Sequence, residues 1–339
     1  MPFIFFMRIL KATLLLLLLL YTSFSYAIDL STRPDIQQYI QTISQKYGFD
    51  QAELASLFNQ INFRESTLAK IKPSAQTKPK PYYAYRDALI TPKRVDDGVA
   101  YWQQHQETLQ KAEKIYGVPA TLLIGILGVE TGYGKNIGSH SALQGLTTLA
   151  FNHPTRRPYF TSELTEFLLL CRDQGWDPRQ VISSFDGGLG LPQFMPSSYR
   201  YYAVSSEQGR QPDLFNNDED VIFSMANYLS KKGWRPEQPI VAKAKMLKNR
   251  KNLDIETDSK PRFTLVELKS QYGLAPANAA TPQDLKAGIL ALETKQTLEH
   301  WLAFHNFSVI KKYNNSTNYA MTVYQLGNVI SAEAKKRDT

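Results

Sequence analysis

Apolar residues recur at intervals of three and four along most of this chain, which is the period of an amphipathic helix. Between residues 33 and 70, two such segments are separated by Gly48. A further helix is predicted from about Pro92 to Tyr116, followed by one that begins at Pro119, a residue suited to a first helical turn. More helices are predicted at residues 160–175, 218–232 and 319–332. The pattern therefore predicts a mainly helical protein.

The pattern changes after the sequence Gly233-Trp-Arg-Pro236. Apolar and polar residues alternate at 240–245, at 288–293 and at 307–312, which is the period of a β-strand. We therefore predict a small α/β unit at residues 237–312 that is inserted into the helical protein. The helix that follows it is expected to pack back on the helical body.

These changes in the hydrophobic pattern divide the chain into five predicted parts. An exposed extended linker is predicted at 72–81, because this segment holds three prolines and three lysines. The five parts are a leader at 1–27, an N-terminal helical region with the linker at 28–100, a core at 101–236, the α/β insert at 237–312 and a C-terminal helix at 313–339.

The first 27 residues resemble a cleaved export signal. Arg8 and Lys11 precede the leucines from Leu14 to Leu20, and Ser25-Tyr-Ala27 provides the small residues that a signal peptidase reads. The uninterrupted apolar run is much shorter than the ~20 residues that span a bilayer. We therefore expect export with cleavage and no stable membrane anchor.

The composition is that of an ordinary globular protein, with 43% hydrophobic and 21% charged residues, which disfavours disordered and coiled-coil classes. The lone cysteine, Cys171, excludes an internal disulfide bond and any site built from several cysteine ligands. The formal net charge of +8 falls to +6 without the two basic residues of the leader. This positive net charge favours an acidic partner, but it does not distinguish between nucleic acid, phospholipid and an anionic wall polymer.

The predicted helix that begins at Pro119 is almost wholly apolar and ends in one carboxylate, Glu130. Burial and the partial negative charge at a helix carboxyl terminus both disfavour an ionised carboxylate, so both would raise the pKa of Glu130. A carboxyl that stays protonated near neutral pH is what general acid catalysis at a glycosidic oxygen requires. The alternative is a structural glutamate that caps backbone donors or pairs with an arginine.

Two glycine-rich segments follow this carboxylate. Thr131-Gly-Tyr-Gly134 comes directly after it, and the segment from Ser184 to Gly190 leads into the sequence that contains Gln193. Glycine lets the backbone approach a ligand closely, and serine and glutamine side chains can bond to hydroxyl and amide groups. A plain turn is the alternative for either segment. Their combination with an isolated acid favours a ligand cleft.

Together these residues resemble the lytic murein transglycosylases of the B type, and the likeness covers about residues 80–330. The matching segments are Tyr116–Pro119, Gly125–Glu130 with Thr131 and Gly134, Phe151–Asn152, Arg156–Arg157, Tyr159–Phe160, Gln193–Tyr199, Ala226–Leu229, Gly233–Trp234, Lys312–Asn314 and Tyr319–Met321. The resemblance implies a mainly α fold, with a lysozyme-like helical catalytic core, a flanking helical region and a small inserted α/β unit.

The resemblance also implies chemistry with a single catalytic acid. Glu130 matches the residue that protonates the oxygen between N-acetylmuramic acid and N-acetylglucosamine. The same carboxylate then takes the proton of the muramyl C6 hydroxyl, so that a 1,6-anhydro ring closes without water. Ser184 matches a serine that holds the muramyl N-acetyl group, and Gln193 matches a glutamine beside the acid. The other residues expected to line the glycan cleft are Tyr85, Arg156, Tyr313, Asn314 and Tyr319.

The loop before Gln193 departs from the family pattern. Leu191-Pro192 stand where the family usually has Tyr-Gly, and Pro192 removes a backbone N–H and fixes φ. Asp186 stands where the family usually has a small residue. A hydrolytic glycosidase would need such a second carboxylate. We favour the interpretation of Asp186 as a solvated loop residue.

Some relatives carry a calcium loop at the position of residues 205–213. In this chain only Glu207 and Asp213 are good oxygen ligands there, whereas Ca²⁺ takes about six to eight. The five histidines show no metal-like spacing either. We therefore expect no metal and no cofactor, with weak residual calcium binding as the alternative.

The resulting hypothesis is a soluble periplasmic lytic transglycosylase, monomeric, that cleaves peptidoglycan glycan strands and has no nucleic-acid partner. Two alternatives stay open. One is a hydrolytic muramidase that uses Glu130 with Asp186, and the other is a non-catalytic peptidoglycan-binding protein whose altered loop has silenced the site. The basic stretch from Lys243 to Arg262 is predicted to be a solvated surface, with an approach to anionic peptidoglycan as the alternative.

Overall fold

The computed structural model describes residues 30–71, 80–247, 257–278 and 280–337. The predicted leader and most of the predicted linker lie outside these residues, as does the middle of the basic stretch. The chain divides into two compact units, one up to residue 64 and one from residue 65 onward.

The first unit contains helices α1 (Pro34–Tyr47) and α2 (Gln51–Asn59). Helix α1 buries one apolar face and ends at Gly48, whose φ of +70° is a left-handed conformation that glycine adopts without steric cost. Helix α2 begins after Asp50, whose carboxylate accepts from the Glu53 N–H at 2.8 Å. The predicted separation of two helices at Gly48 is confirmed.

The second unit begins with α3 (Glu65–Ile71), α4 (Tyr82–Leu89), α5 (Pro92–Gln104) and α6 (Gln106–Tyr116). The prediction of one helix from Pro92 to Tyr116 is wrong, because the chain leaves helical geometry at His105, with φ −116° and ψ 22°. The His105 ring packs on Tyr101 with centroids 4.3 Å apart, and no glycine or proline marks the break.

Helix α7 (Ala120–Glu130) is the buried centre of the second unit and packs against the C-terminal helix α13 (Thr317–Arg337). Glycines allow the two backbones to touch. A Cβ on Gly125 would lie 2.1 Å from the Val323 carbonyl oxygen, and one on Gly327 would lie 1.8 Å from the Thr121 carbonyl oxygen. The close packing fixes the end of α7, and therefore Glu130, against the start of α13.

The rest of the helical body surrounds α7. It consists of β1 (His140–Ser141), α8 (Ala142–Asn152), α9 (Arg157–Gln174), β2 (Ile182–Ser183), α10 (Pro196–Tyr202) and α11 (Asp218–Lys231). Strands β1 and β2 pair antiparallel. The helices predicted at 160–175, 218–232 and 319–332 are all present, the last as part of α13.

A five-stranded antiparallel sheet follows α11, in the order β4-β6-β7-β3-β5. Its strands are β3 (Val241–Met246), β4 (Asp258–Thr264), β5 (Leu274–Pro276), β6 (Lys286–Glu293) and β7 (Leu298–Ala303). A short helical segment, Leu265–Tyr272, connects β4 to β5 and covers a small apolar core around Ile289 and Leu302.

The segment 307–312 is not the predicted strand but part of helix α12 (His305–Tyr313). Phe307, Val309 and Ile310 are all fully buried. The spacing of two between Phe307 and Val309 resembles a strand, whereas the spacing of three between Phe307 and Ile310 fits one face of a helix. The mainly helical fold with a small sheet is confirmed. Within the described ranges, no single helix has the length and hydrophobicity to cross a membrane, although α6 and α7 together would by length and composition, with a bend of 116° between them.

Candidate active site

Glu130 lies at the last position of α7, with a half-buried side chain. Burial raises the pKa of Glu130 to about 7, and the negative charge of Asp186 adds to the rise, whereas a hydrogen bond from Tyr319 opposes it. The predicted direction of this pKa is confirmed. Close to neutral pH the carboxyl is therefore divided about equally between its protonated and ionised forms.

Tyr319, on the first turn of α13, is the hydrogen-bond partner of this carboxyl. Its hydroxyl donates to Glu130 Oε1 at 2.6 Å, and its side chain is only 2% exposed. Burial and the nearby Glu130 charge keep the pKa of Tyr319 well above its ordinary value, so the hydroxyl remains a donor. Within the described residues no arginine pairs with Glu130, and its second carboxyl oxygen makes no hydrogen bond.

Two more tyrosines lie close enough to Glu130 for its charge to raise their pKa values. Burial and that charge raise the pKa of Tyr85, on α4, and of Tyr313, at the end of α12. The Tyr313 hydroxyl donates to the Pro192 carbonyl oxygen at 2.6 Å. The structure thus brings Tyr85, Tyr313 and Tyr319 together around the carboxyl, although they come from three distant parts of the sequence.

Tyr228, on α11, lies beside Tyr313 and was not among the predicted site residues. Tyr228, Tyr313 and Phe194 contact one another and are called the aromatic wall below. Its ring lies edge-on to that of Tyr313, with centroids 5.1 Å apart, and 5.4 Å from the ring of Phe194. Its hydroxyl donates to the Lys312 carbonyl oxygen at 2.7 Å. The segment Ala226–Leu229 carried the resemblance but offered no signal for a role of this ring.

The two glycine-rich segments meet beside Glu130. Gly138, with φ of +93°, lies so close to the Ser183 backbone that a Cβ would be 2.2 Å from its carbonyl oxygen. Gly188 is less tightly enclosed, because a Cβ there would be 2.8 Å from Ser184 Oγ and 3.0 Å from Gln193 Oε1. A larger residue at 188 would therefore displace the ends of the Ser184 and Gln193 side chains, which converge on this glycine.

Ser184 and Asp186 form a hydrogen-bonded pair within the second glycine segment. The Ser184 hydroxyl donates to Asp186 Oδ1 at 2.7 Å and accepts from the Gly188 N–H at 2.9 Å. Asp186 is half-buried, and its charge contributes to the raised pKa of Glu130. Asp186 is thus a partly exposed turn residue, as expected of a loop position, that in addition accepts a hydrogen bond from Ser184.

Gln193 has φ of +52°, an uncommon conformation for a residue other than glycine. Its amide nitrogen donates to the carbonyl oxygens of Gly190 at 2.8 Å and Ile137 at 3.2 Å. A backbone bridge between Leu189 and Phe194 closes the loop around it. These contacts hold the side chain with its oxygen toward Gly188.

Leu191 and Pro192, which depart from the usual family sequence, make contacts on both sides of the loop. The Leu191 carbonyl accepts from the Thr131 hydroxyl at 3.0 Å, and its N–H donates to the Leu214 carbonyl at 2.9 Å. The Leu191 side chain packs over Gly134. Pro192, which has no N–H to donate, offers its carbonyl to Tyr313. The loop that carries Gln193 is thus hydrogen-bonded to Thr131, at the start of the first glycine segment, and to Tyr313 of the aromatic wall.

Arg156 and Asn314 are not brought into contact with Glu130. Arg156 is exposed, with its guanidinium carbon 4.3 Å from the ring centroid of Tyr159. Burial and the charge of Glu163 raise the pKa of Tyr159 to about 12, and the charge of Asp186 makes a smaller contribution. Asn314 is exposed directly after Tyr313.

The site therefore holds one carboxyl with a near-neutral pKa, a buried tyrosine that orients it, a serine and a glutamine that converge on one glycine, and an aromatic wall. A carboxyl of this kind can give a proton to a leaving oxygen and take one back from a hydroxyl.

Comparison with known proteins identifies what this site resembles. Residues 31–328 match the family described as the Transglycosylase SLT domain. The membrane-bound lytic murein transglycosylase B of Escherichia coli (strain K12) is 34% identical over 311 residues, which are 89% of this chain and 84% of that protein.

Solved structures of similar proteins share the fold. The soluble lytic transglycosylase SltB1 from Pseudomonas aeruginosa is 36% identical, with a TM-score of 0.82 over 90% of this chain and 100% of that one. The Escherichia coli lytic transglycosylase Slt35 in complex with calcium is 34% identical, with a TM-score of 0.82 over 90% and 95% of the two chains. The predicted lysozyme-like helical fold is confirmed.

Proposed function

Since the chain belongs to the SLT-domain transglycosylases and is a peptidoglycan lytic transglycosylase, we propose that Glu130 is the single acid and base of its reaction. The observation that carries this proposal is a half-buried carboxyl that Tyr319 holds through one oxygen and whose pKa burial raises to about 7. A carboxyl that must donate a proton and then accept one needs both its protonated and its ionised form to be accessible at the same pH.

The first step breaks the bond between C1 of N-acetylmuramic acid and O4 of N-acetylglucosamine. Protonated Glu130 gives its proton to O4 as the C1–O4 bond breaks, and the bonding electrons leave with the oxygen. Positive charge develops at C1. The proton transfer contributes about 10²–10⁴ in rate.

The second step closes the anhydro ring. The Glu130 carboxylate takes the proton of the C6 hydroxyl of the same sugar, and O6 forms a bond to C1. Glu130 regains its proton and no water is consumed. Because the internal hydroxyl replaces the attacking water, the reaction needs no second carboxylate.

Tyr319 acts on this cycle through Glu130. Its hydroxyl holds Oε1 at 2.6 Å and leaves Oε2 to carry the proton toward the substrate. The hydrogen bond also stabilises the ionised form and so limits the rise in pKa that burial causes. Without it the carboxyl would be a poorer acid at the first step.

We assign to Ser184 and Gln193 the holding of the muramyl N-acetyl group beside the acid. Asp186 accepts from the Ser184 hydroxyl and thereby sets its direction, which supports a positioning role for Asp186 rather than activation of water. Tyr85, Tyr313, Arg156 and Asn314 are proposed to line the glycan cleft, and Tyr228 is added to them as support for Tyr313.

A peptidoglycan lytic transglycosylase works outside the cytoplasm. We propose further that this one is periplasmic after cleavage of the leader at 1–27, that it is monomeric and has no stable anchor, and that it has no nucleic-acid partner. The division into a catalytic core at 101–236, an insert at 237–312 and a C-terminal helix at 313–339 is proposed on the same basis.

The role of Glu130 is tested by release of soluble fragments from purified murein sacculi. Glu130→Gln keeps the shape of the side chain and the acceptor for Tyr319 but has no acidic proton. We expect at least a ~10²-fold loss of rate, whereas Glu107→Gln, an exposed glutamate on α6, should keep wild-type activity. A Glu130→Gln enzyme with more than about a tenth of wild-type rate would refute the assignment.

A further inference from the structure

The segment between α10 and α11, residues 203–217, folds around one buried carboxylate. Asp220 lies in the first turn of α11 and is 0% exposed. Its Oδ1 accepts from the Ser206 N–H at 2.7 Å and the Ser206 hydroxyl at 2.8 Å, and its Oδ2 accepts from the Asp213 N–H at 2.8 Å. A carboxylate taken fully out of water in this way requires a compensating positive charge.

Arg210, from the middle of the same segment, provides that charge. Its Nη2 donates to Asp220 Oδ1 at 2.8 Å, and its Nη1 donates to the Gln211 carbonyl oxygen at 3.2 Å. Burial alone would raise the pKa of Asp220, but the guanidinium and the hydrogen bonds from Ser206 and Asp213 outweigh burial and hold the pKa below its usual range. The carboxylate is thus ionised and saturated with donors.

The arrangement does not fit a calcium ion, although Slt35 was solved in complex with calcium. Ca²⁺ takes about six to eight oxygens at ~2.3–2.6 Å. Within the described residues, no group of three or more His, Cys, Asp or Glu could hold a metal ion. Both oxygens of Asp220 already face N–H or O–H donors, and those of Asp213 accept from the N–H of Phe215 at 2.8 Å and from Asn216. A cation placed beside Asp220 would also meet the guanidinium.

We propose that the guanidinium of Arg210 is the built-in cation of the 203–217 segment, and that it holds this segment behind the Gln193 loop without a divalent metal ion. Arg210 is therefore a positioning residue. A cation that is part of the chain makes the order of this segment independent of the calcium concentration around the enzyme.

The held segment reaches the Gln193 loop through Leu214. The Tyr199 hydroxyl donates to the Pro212 carbonyl at 2.8 Å and accepts from the Leu214 N–H at 3.0 Å. The Leu214 carbonyl in turn accepts from the Leu191 N–H at 2.9 Å, and it lies where a Cβ on Gly190 would be 2.3 Å away. A shift of residues 212–214 would therefore move the backbone two residues before Gln193.

Trp176 gives this segment a spectroscopic reporter. Its ring meets the rings of Phe215 and Tyr199 edge-on, each with centroids 5.7 Å apart. If the segment moves, Phe215 leaves the indole and water replaces it. The emission of Trp176, obtained as the difference between proteins with and without Trp176→Phe, should then shift to longer wavelength.

The test compares Arg210→Met, Arg210→Lys and a matched control, Arg262→Met, which removes an arginine from an exposed ion pair with Asp258. Arg210→Met should lower the Tm by about 5–10 °C, against less than about 2 °C for the control. Arg210→Lys keeps the charge and should recover part of the loss. Wild-type Tm should differ by less than about 1 °C between millimolar calcium and a chelator.

Kinetics and emission separate positioning from general destabilisation. Below the Tm of the variant, Arg210→Met should raise KM about 3–10-fold while kcat changes less, because Glu130 and Tyr319 lie on α7 and α13, outside the segment. Its Trp176 emission should shift to the red, and that of Arg262→Met should not. The Tm and emission results do not depend on the role proposed for Gln193, so an error in that role would affect KM alone.

A double variant covers the case in which Arg210→Met does not fold. Arg210→Met with Asp220→Asn leaves no unpaired buried charge, so it should fold and still show the red-shifted Trp176 emission and the raised KM. A wild-type Tm that rises by several degrees with calcium would overturn the proposal. So would an Arg210 variant that equals Arg262→Met in Tm, emission and KM.

Discussion

Replacement of Glu130 by glutamine should stabilise the protein at neutral pH while it abolishes activity. The pKa of a glutamate carboxyl rises from 4.5 to about 7 at this position. At about 1.36 kcal/mol for each pH unit, ionising the folded protein costs about 2–3 kcal/mol after allowance for partial exposure of the side chain. Glutamine has the shape of the protonated form and carries no such cost.

The sign of the pH dependence follows from the raised pKa. Below pH ~4.5 the carboxyl is protonated in both folded and unfolded chains, so wild type and Glu130→Gln should have similar stability. Between pH ~4.5 and ~7 the unfolded chain releases the proton while the folded chain keeps it, and wild-type stability falls. Above pH ~7 the loss is complete and the variant should stay more stable by about 2–3 kcal/mol.

Urea unfolding followed by tryptophan fluorescence measures this difference. The four tryptophans, Trp102, Trp176, Trp234 and Trp301, all belong to the second unit, which contains Glu130. Glu107→Gln removes an exposed carboxylate and corrects for the loss of one negative charge. A difference between wild type and Glu130→Gln that does not change between pH 4 and pH 8, or that favours wild type at pH 8, would refute the reasoning.

Three further predictions test the contacts of Glu130, the packing of α7 on α13 and the role of Asp186. Tyr319→Phe removes a hydrogen bond to the ionised form, so the pKa of Glu130 should rise, and the descending limb of the kcat/KM profile should move upward by about 1 pH unit; an unmoved limb speaks against the contact. Gly327→Ala puts a methyl group against a backbone carbonyl of α7 and should cost about 1–3 kcal/mol of unfolding free energy by urea titration; wild-type stability would contradict the packing. Asp186→Asn should lower kcat/KM less than about 10-fold, because Asp186 orients Ser184; a 100-fold loss would support hydrolysis with two carboxylates.

The sequence singled out Glu130 because its signal is local. An apolar helix that ends in one carboxylate is visible within twelve residues, and burial then dictates the direction of the pKa of Glu130. The two glycine segments are also local signals, and the structure shows why glycine is needed at Gly138 and Gly188.

The partners of the acid could be placed only by resemblance, since Tyr319 lies 189 positions away in the sequence. The hydrogen bond between Ser184 and Asp186 was not predicted, because the loop composition gives no sign of it. The break at His105 was missed because no glycine or proline marks it in the sequence. The strand predicted at 307–312 was wrong because six residues with buried positions two and three apart fit either period.

Digestion of murein sacculi in water enriched in ¹⁸O tests the central claim most directly. Glu130 is proposed to take its second proton from the C6 hydroxyl of the substrate, so mass spectrometry of the released fragments should find 1,6-anhydro ends that carry no ¹⁸O. These products should disappear in Glu130→Gln. Ordinary reducing muramic acid ends that contain ¹⁸O would contradict the account, because they require attack by water.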